Sequence, residues 1–136
     1  MKKLLLLLLL PIIAFGQKEV VIHITTDNYP AETKWELYSD SVGGALLSSV
    51  NYGYYTTAST SYSDTIYIDD NVTDISWVIY DSYGDGMPGG NYYVSVCSDT
   101  IISYPVPTFT TGLIHNRVIP QCMPNPPPCV EATVII

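Results

Sequence analysis

Basic residues are scarce in this sequence once its N-terminal segment is set aside. Beyond Lys3 the chain has three basic residues against thirteen acidic ones, which gives a net charge of −10. This charge makes nucleic acid and anionic lipid poor partners, because both are themselves anionic. The same excess of carboxylates suits hard cations such as calcium, which bind oxygen ligands.

Helical periodicity is also missing. Beyond the N-terminal segment, no stretch repeats apolar residues three and four positions apart, and the chain is rich in Tyr, Thr, Val and Ile, broken by clusters of Gly, Pro, Asn and Asp. Short apolar runs between turn residues are typical of antiparallel sheets. The pattern predicts an all-β domain, an antiparallel β-sandwich or jelly-roll-like fold. We expect strands at 19–26, 34–39, 45–50, 63–69, 74–81, 91–97, 100–104 and 112–119.

Alternation within these strands assigns a core face. Successive side chains of a strand point to opposite sides of the sheet, so the apolar set of a strand marks its buried side. The predicted core consists of Val20, Ile22, Ile24, Trp35, Leu37, Ile75, Trp77, Ile79, Tyr92, Val94 and Val96.

Recognisable catalytic patterns are absent as well. The chain has no Gly-x-Ser-x-Gly turn, no His-Glu-x-x-His pair and no glycine-rich phosphate loop. Its two histidines, His23 and His115, have no clear nucleophile or metal partner in the sequence. We therefore expect a protein that is not an enzyme. A pair of carboxylates of the glycosidase kind keeps a small secreted hydrolase as a third functional possibility.

The first sixteen residues have the organisation of a secretory signal peptide. Lys2 and Lys3 precede an unbroken leucine run, and a small-residue pattern ends at Gly16. The apolar run is shorter than the roughly 20 residues that span a bilayer, so segment 1–16 is predicted to be cleaved. We expect the protein to be secreted or held at the cell surface, with the periplasm as an alternative, and without membrane insertion after cleavage.

The rest of the chain predicts one domain followed by a change in composition. Residues 17–121 have the length of a single domain with a modest core. Residues 122–130 hold four prolines, which favour a stiff extended conformation, and are predicted to be a linker. Residues 131–136 resemble the opening strand and form either a final strand or the start of a second repeat.

The three cysteines, Cys97, Cys122 and Cys129, lie in the exported part of the chain, where disulfides persist. An odd number of cysteines cannot pair completely within one chain. Cys122 and Cys129 are close in sequence across the proline stretch, so we predict a disulfide between them. Cys97 would then stay reduced or pair outside the chain.

The segment DSYGDG, residues 81–86, lies between two predicted strands and indicates a cation site. Asp81 and Asp85 stand four positions apart, and Gly86 is free to take positive φ, so a short loop can aim several oxygens at one point. The segment resembles the first half of an EF-hand loop, although Tyr83 stands at the third position and strands flank it. An ion here would need carboxylates from another loop.

Asp27 and Glu32 follow the first predicted strand and are the candidates for those further ligands. If their loop lies at the same end of the sandwich as residues 81–86, four carboxylates converge, which is unfavourable without a cation. Calcium is favoured over zinc, since no well-placed histidine or thiolate accompanies these oxygens. The alternative is that both segments are ordinary turns, with Asp-Gly at a hairpin tip and Asp-Asn in a bend.

Tyrosines are dense between residues 52 and 62. Exposed rings of Tyr52, Tyr54 and Tyr55 could stack on a sugar or on an apolar surface of a partner. They predict an alternative function, a carbohydrate-binding module. The other interpretation makes them strand residues whose rings are half buried and whose hydroxyls reach water.

Two motifs together resemble a known group of modules. TDNYPAETKWEL at 26–37 and DSYGDG at 81–86 are similar to segments of β-sandwich modules in secreted multidomain proteins of Bacteroidetes, exported by the type IX route. The resemblance covers residues 19–97 and implies an accessory, adhesin-like module without a reaction of its own, with another extracellular protein or a glycan as partner. Asn28-Tyr29-Pro30 and Trp35 give a fainter resemblance to CUB domains, extracellular sandwiches that in some cases hold calcium.

Overall fold

Eight β-strands and one short 3-10 turn make up the described part of the chain. The computed structural model describes residues 16–122. Most connecting segments are rich in Gly, Pro, Ser, Asn or Asp, which favour turn conformations and so end the strands. The strands are β1 (Gln17–Thr25), β2 (Thr33–Ser39), β3 (Leu46–Val50), β4 (Ser61–Asp69), β5 (Asp74–Asp81), β6 (Asn91–Val96), β7 (Asp99–Tyr104) and β8 (Gly112–Val118), with the 3-10 turn at Pro30–Glu32.

The strands form two four-stranded antiparallel sheets that share one core. The first sheet has the order β4-β1-β6-β7, and the second has the order β3-β2-β5-β8. Only β2–β3 and β6–β7 are hairpins within a sheet, and the other connections cross between the sheets. The prediction of an all-β antiparallel sandwich is confirmed, and each predicted strand has a counterpart.

One end of the sandwich gathers the connections that follow β1, β3, β5 and β7. We call it the loop end, and it consists of residues 26–32, 51–60, 82–90 and 105–111. Backbone hydrogen bonds join these loops, since Gly53 N–H donates to Ala31 C=O (2.9 Å) and Ser82 N–H donates to Glu32 C=O (3.0 Å). Segments that are distant in the sequence are therefore held side by side.

Both sheets contribute alternate residues to the core. Every residue predicted for the core is buried, and others, including Tyr55 and Met87, join them. Lys18 also holds a core-face position of β1, where its ammonium donates to Val72 C=O (2.6 Å). Burial of each large apolar side chain contributes roughly 1.5–3 kcal/mol, so this core is the main source of the stability of the fold.

A disulfide joins Cys97 and Cys122, whose Cα atoms are 5.4 Å apart. The predicted disulfide between Cys122 and Cys129 is therefore wrong, as is the expectation that Cys97 stays reduced, and Cys129 lies outside the described residues. The reason is topological, because β6 and β8 both finish opposite the loop end and bring the segment after β8 back to Cys97. Ile119 fixes this return, since it is buried and its N–H donates to Thr73 C=O (2.8 Å).

Several predicted segments fall outside the described residues. The predicted signal peptide, 1–16, is described only at Gly16, and the predicted linker, 122–130, only at Cys122. Segment 131–136 lies wholly outside. Between residues 16 and 122, no helix has the length and apolar character needed to cross a membrane.

Candidate metal and binding site

The candidate site lies at the loop end, where β2 begins and β5 ends. These strands pair, and Thr33 lies opposite Asp81 in their register. Glu32 directly precedes β2, so its side chain starts close to that of Asp81. The hydrogen bond from Ser82 N–H to Glu32 C=O secures this arrangement. Strand pairing thus brings together acidic residues that are far apart in the sequence.

Asp81 organises the 82–90 loop through its own carboxylate. It is buried, and its Oδ2 accepts hydrogen bonds from the N–H groups of Gly84 (2.7 Å), Asp85 (2.7 Å) and Gly86 (2.8 Å). Its Oδ1 accepts a longer bond from Tyr83 N–H (3.2 Å). Bonds to an ionised acceptor are stronger than neutral ones, so Asp81 holds the loop in a tight curl. A carboxylate oxygen has two lone pairs, so Oδ1 can still contact a cation.

Two glycines make this curl possible. Gly84 and Gly86 have φ values of +94° and +82°, which residues with a side chain rarely adopt. Gly86 is also tightly packed, since a Cβ atom there would lie 2.8 Å from the Phe109 carbonyl oxygen. Next to it, Met87 is buried in the core, and its N–H donates to Pro107 C=O (3.3 Å). The loop is therefore fastened to its neighbour between β7 and β8.

Three of the four predicted metal ligands come together. One oxygen from each of Glu32, Asp81 and Asp85 lies within 4.8 Å of the others. Asp81 is buried, Glu32 is partly exposed and Asp85 is exposed, so the group is partly open to solvent. Such a set of carboxylate oxygens can bind a hard cation. Among residues 16–122, no histidine or cysteine joins this group.

Asp27, the fourth predicted ligand, lies outside this group of three. It is buried, and its Oδ1 accepts a hydrogen bond from Tyr29 N–H (2.8 Å). This is the bend that the alternative interpretation predicted for the segment. Asp27 therefore acts as a turn residue at the edge of the site, and its role as a metal ligand stays a prediction.

Exposed aromatic rings flank the acidic group. Tyr29 and Tyr83 are 59% and 78% exposed. Together with Glu32 and Asp85 they line a recess of about 230 Å³. Neither ring was among the predicted binding residues. The signal that could have found them is their position in the sequence, since each lies two residues after an aspartate of a candidate loop.

Two of the three tyrosines predicted to bind a ligand are available for binding. Tyr52 and Tyr54 are 46% and 54% exposed at the loop end. Tyr55 is fully buried, and its hydroxyl accepts from Trp35 Nε1–H (2.8 Å) and donates to Asp64 (3.0 Å). The prediction of Tyr55 as an exposed binding residue is therefore wrong. The ring lies in the core, where its hydroxyl accepts the hydrogen bond of the buried Trp35 indole.

Similarity to known proteins does not assign this chain to a family. No protein-family model, curated protein or solved structure matches the chain. The resemblance to secreted Bacteroidetes modules continues to rest on its two motifs and stays a prediction. The geometry and the charge of the loop end are the features that bear on what it binds.

Burial and repulsion between carboxylates raise the pKa values of Glu32 and Asp27. Desolvation is the largest cause that raises the pKa of Glu32, and the charges of Asp81, Asp85 and Asp27 raise it further. Desolvation also raises the pKa of Asp27, the charges of Asp85 and Asp81 add to this, and the hydrogen bond from Tyr29 N–H opposes it. The folded protein therefore disfavours the ionised forms of both acids.

Replacing Glu32 by glutamine is expected to raise the melting temperature of the calcium-free protein at neutral pH. A carboxyl with a raised pKa in the folded state destabilises the fold while it is ionised. This penalty fades as the pH falls through the raised pKa towards the ordinary value of 4.5. The difference between Glu32→Gln and wild type should be largest at about pH 7 and vanish at about pH 4. Thermal melts over this range in a chelator measure it.

Glu19→Gln is the matched control for this prediction, because Glu19 is an exposed acid of β1 outside the loop end. It should show no comparable gain at neutral pH. Burial lowers the pKa of His115, so this residue destabilises the fold as the pH falls below its ordinary pKa of 6.5. All the compared proteins keep His115, so its contribution cancels in the difference between their melting temperatures. If Glu32→Gln were less stable than wild type at neutral pH, the ionised Glu32 would not be repelled by its acidic neighbours as we infer.

Proposed function

We propose that this chain is a secreted, non-catalytic interaction module that holds a calcium ion at its loop end. The observation that carries the proposal is the group of Glu32, Asp81 and Asp85, whose oxygens lie within 4.8 Å of one another. Glu32 belongs to the loop before β2, and the two aspartates belong to the end of β5 and the loop after it. A cation there would bridge the loops and relieve the repulsion between their carboxylates.

The donor atoms favour calcium over zinc. Calcium binds about six to eight oxygen ligands, whereas zinc prefers imidazole nitrogen and thiolate sulfur. Within residues 16–122, the group consists of carboxylates alone. Three side-chain oxygens do not fill the shell of a calcium ion, so water would supply further ligands.

Two features support an extracellular role. The N-terminal segment 1–16 has the pattern of a signal peptide. The disulfide between Cys97 and Cys122 suits an oxidising compartment. The motif resemblance adds support for an accessory, adhesin-like module whose partner is another extracellular protein or a glycan.

Calcium at about a hundred times its Kd should stabilise the protein by roughly 2.7 kcal/mol, because the ion binds the folded state and not the unfolded chain. For a domain of this size the melting temperature should rise by on the order of ten degrees relative to EDTA. The variant Glu32→Gln/Asp85→Asn should lose this shift. Differential scanning fluorimetry in EDTA and in millimolar calcium measures both proteins.

The site variant keeps Asp81, so the loop that Asp81 organises stays intact. The matched control is Glu19→Gln/Asp99→Asn, which removes the same two kinds of charge at exposed positions outside the loop end. It should keep the full calcium shift. Equal melting of the wild type in calcium and in EDTA, or loss of the shift in the control, would show that the calcium proposal is wrong.

A further inference from the structure

Four exposed tyrosine rings lie in the loops of the loop end. Tyr29, Tyr52, Tyr54 and Tyr83 belong to three of its loops, and all four are exposed. Tyrosine-rich loops at one end of a sandwich are well suited to binding proteins, because a rigid ring gives a large contact area at a low cost in conformational entropy. The arrangement favours an interaction surface.

The charge of this surface has one sign. Its four loops contain Asp27, Glu32 and Asp85 and no lysine or arginine. Lys34, which follows in β2, is held by Glu36 in an ion pair of 2.8 Å. The potential over the loop end is therefore negative, which repels anionic partners and attracts cationic ones.

The recess between Tyr29 and Tyr83 combines the rings with the charge. Its lining is formed by these two tyrosines with Glu32 and Asp85. Its volume of about 230 Å³ is below the roughly 300–1,000 Å³ of small-molecule sites. It therefore suits one long side chain better than a whole small-molecule ligand. An aromatic face attracts a cation, and carboxylates accept hydrogen bonds from it.

We propose that the loop end docks a cationic polypeptide segment, and that an arginine side chain of this partner enters the recess. A guanidinium group is planar, stacks on aromatic rings and donates to carboxylates in a forked geometry, whereas a lysine ammonium is a point charge. Its contacts are the rings of Tyr29 and Tyr83 and the carboxylates of Glu32 and Asp85. The inference rests on the interaction role proposed above for these loops, and it adds the chemistry of the partner.

Calcium and arginine compete for the same carboxylates in this proposal. An ion held by Glu32 and Asp85 neutralises the charge that the guanidinium needs, so calcium should weaken docking. Docking is therefore tested in EDTA, where it does not depend on whether a calcium site exists. Failure of docking and failure of the calcium shift are then separate results.

The test uses a short fluorescein-labelled peptide of alternating arginine and serine. A second peptide carries citrulline at every arginine position, which keeps the shape of the side chain and removes its charge. Fluorescence anisotropy with the full chain in EDTA should show saturable binding of the arginine peptide, stronger at about 50 mM than at about 150 mM salt. The citrulline peptide should not bind.

Variants of the rings test where the peptide binds. Tyr29→Ala and Tyr83→Ala should each weaken binding by roughly threefold, the size of an exposed cation–π contact. Tyr67→Ala removes another exposed ring, on β4 and outside the loop end, and should leave binding unchanged. Because all three rings are exposed, these variants should keep their melting temperatures.

Variants of the charges test how it binds. Glu32→Gln/Asp85→Asn should weaken binding by at least about tenfold, because it removes both charged acceptors of the recess. Glu19→Gln/Asp99→Asn, which makes the same charge change elsewhere, should weaken it by less than about twofold, since salt screens distant charges.

Saturable binding with losses confined to the loop-end variants supports the proposal. It is overturned if the arginine peptide fails to bind in EDTA, if the citrulline peptide binds equally well, or if the control variants lose as much affinity. It is also overturned if a neutral oligosaccharide binds to these rings and the peptide does not, which would favour the carbohydrate-binding function.

Discussion

Replacing both Cys97 and Cys122 by serine is expected to lower the melting temperature by on the order of fifteen degrees. The disulfide joins residues that are 25 positions apart. Cross-linking a loop of that length restricts the unfolded chain and stabilises the fold by about 3 kcal/mol. The bond also holds the segment that contains the buried Ile119, so its loss frees part of the core edge.

Cys129→Ser is the control for the disulfide prediction. It leaves the bond between Cys97 and Cys122 in place, and it should melt within about three degrees of the wild type. Peptide mapping without reduction should recover the Cys97–Cys122 cross-link. Recovery of a Cys122–Cys129 cross-link, or a Cys129→Ser variant as unstable as the double variant, would show that this pairing does not hold in solution.

Most of the fold could be predicted because its strands obey a simple rule. Apolar residues recur at every second position along β1, β5 and β6, and a sheet with one buried face needs nothing more to define its core. Lys18 is one exception, since it is polar but holds a core-face position and is fully buried. Alternation predicts which face of the sheet a residue occupies. It does not predict that the Lys18 ammonium donates a hydrogen bond to Val72 C=O at the edge of the core.

Contacts between loops could not be predicted in this way. Met87 stands in a loop rich in glycine, yet its side chain joins the core, and its N–H donates to Pro107 C=O in the loop between β7 and β8. The partner of Cys122 depends on which strands finish at the same end of the sandwich, and only the strand order settles that. Closeness in sequence favoured Cys129 as the partner of Cys122, but the strand order places Cys97 next to it.

The candidate site could be predicted in part. The spacing of Asp81, Asp85 and Gly86 marked the loop that holds two of the three grouped carboxylates, and the pairing of β2 with β5 places Glu32 beside it. Asp27 shows the limit of such patterns, because its carboxylate turns to a backbone N–H of its own loop. Whether a carboxylate serves a turn or a shared cation depends on loop conformation, which residue spacing does not fix.

Replacing Asp81 by alanine is expected to destabilise the calcium-free protein by roughly 3 kcal/mol or more. The N–H groups of Gly84, Asp85 and Gly86 would lose their shared acceptor. Each hydrogen bond to a charged group contributes about 1.5–3 kcal/mol, and water can replace part of that at the exposed side of the loop. The melting temperature should fall by on the order of ten to twenty degrees. Asp81→Asn should lose less, because one carbonyl oxygen can take the place of Oδ2.

Asp85→Ala is the matched control, since Asp85 is exposed and joins the network through a backbone N–H that alanine keeps. In EDTA this variant should melt at or above the wild-type temperature, because one of the repelling charges is gone. The order of stability, with Asp81→Ala lowest, Asp81→Asn next and Asp85→Ala highest, separates a carboxylate that organises a loop from one that only repels its neighbours. If Asp81→Ala were as stable as Asp85→Ala, the hydrogen bonds from the backbone N–H groups to Asp81 would contribute little to stability. Asp81 would then affect the site only through its charge.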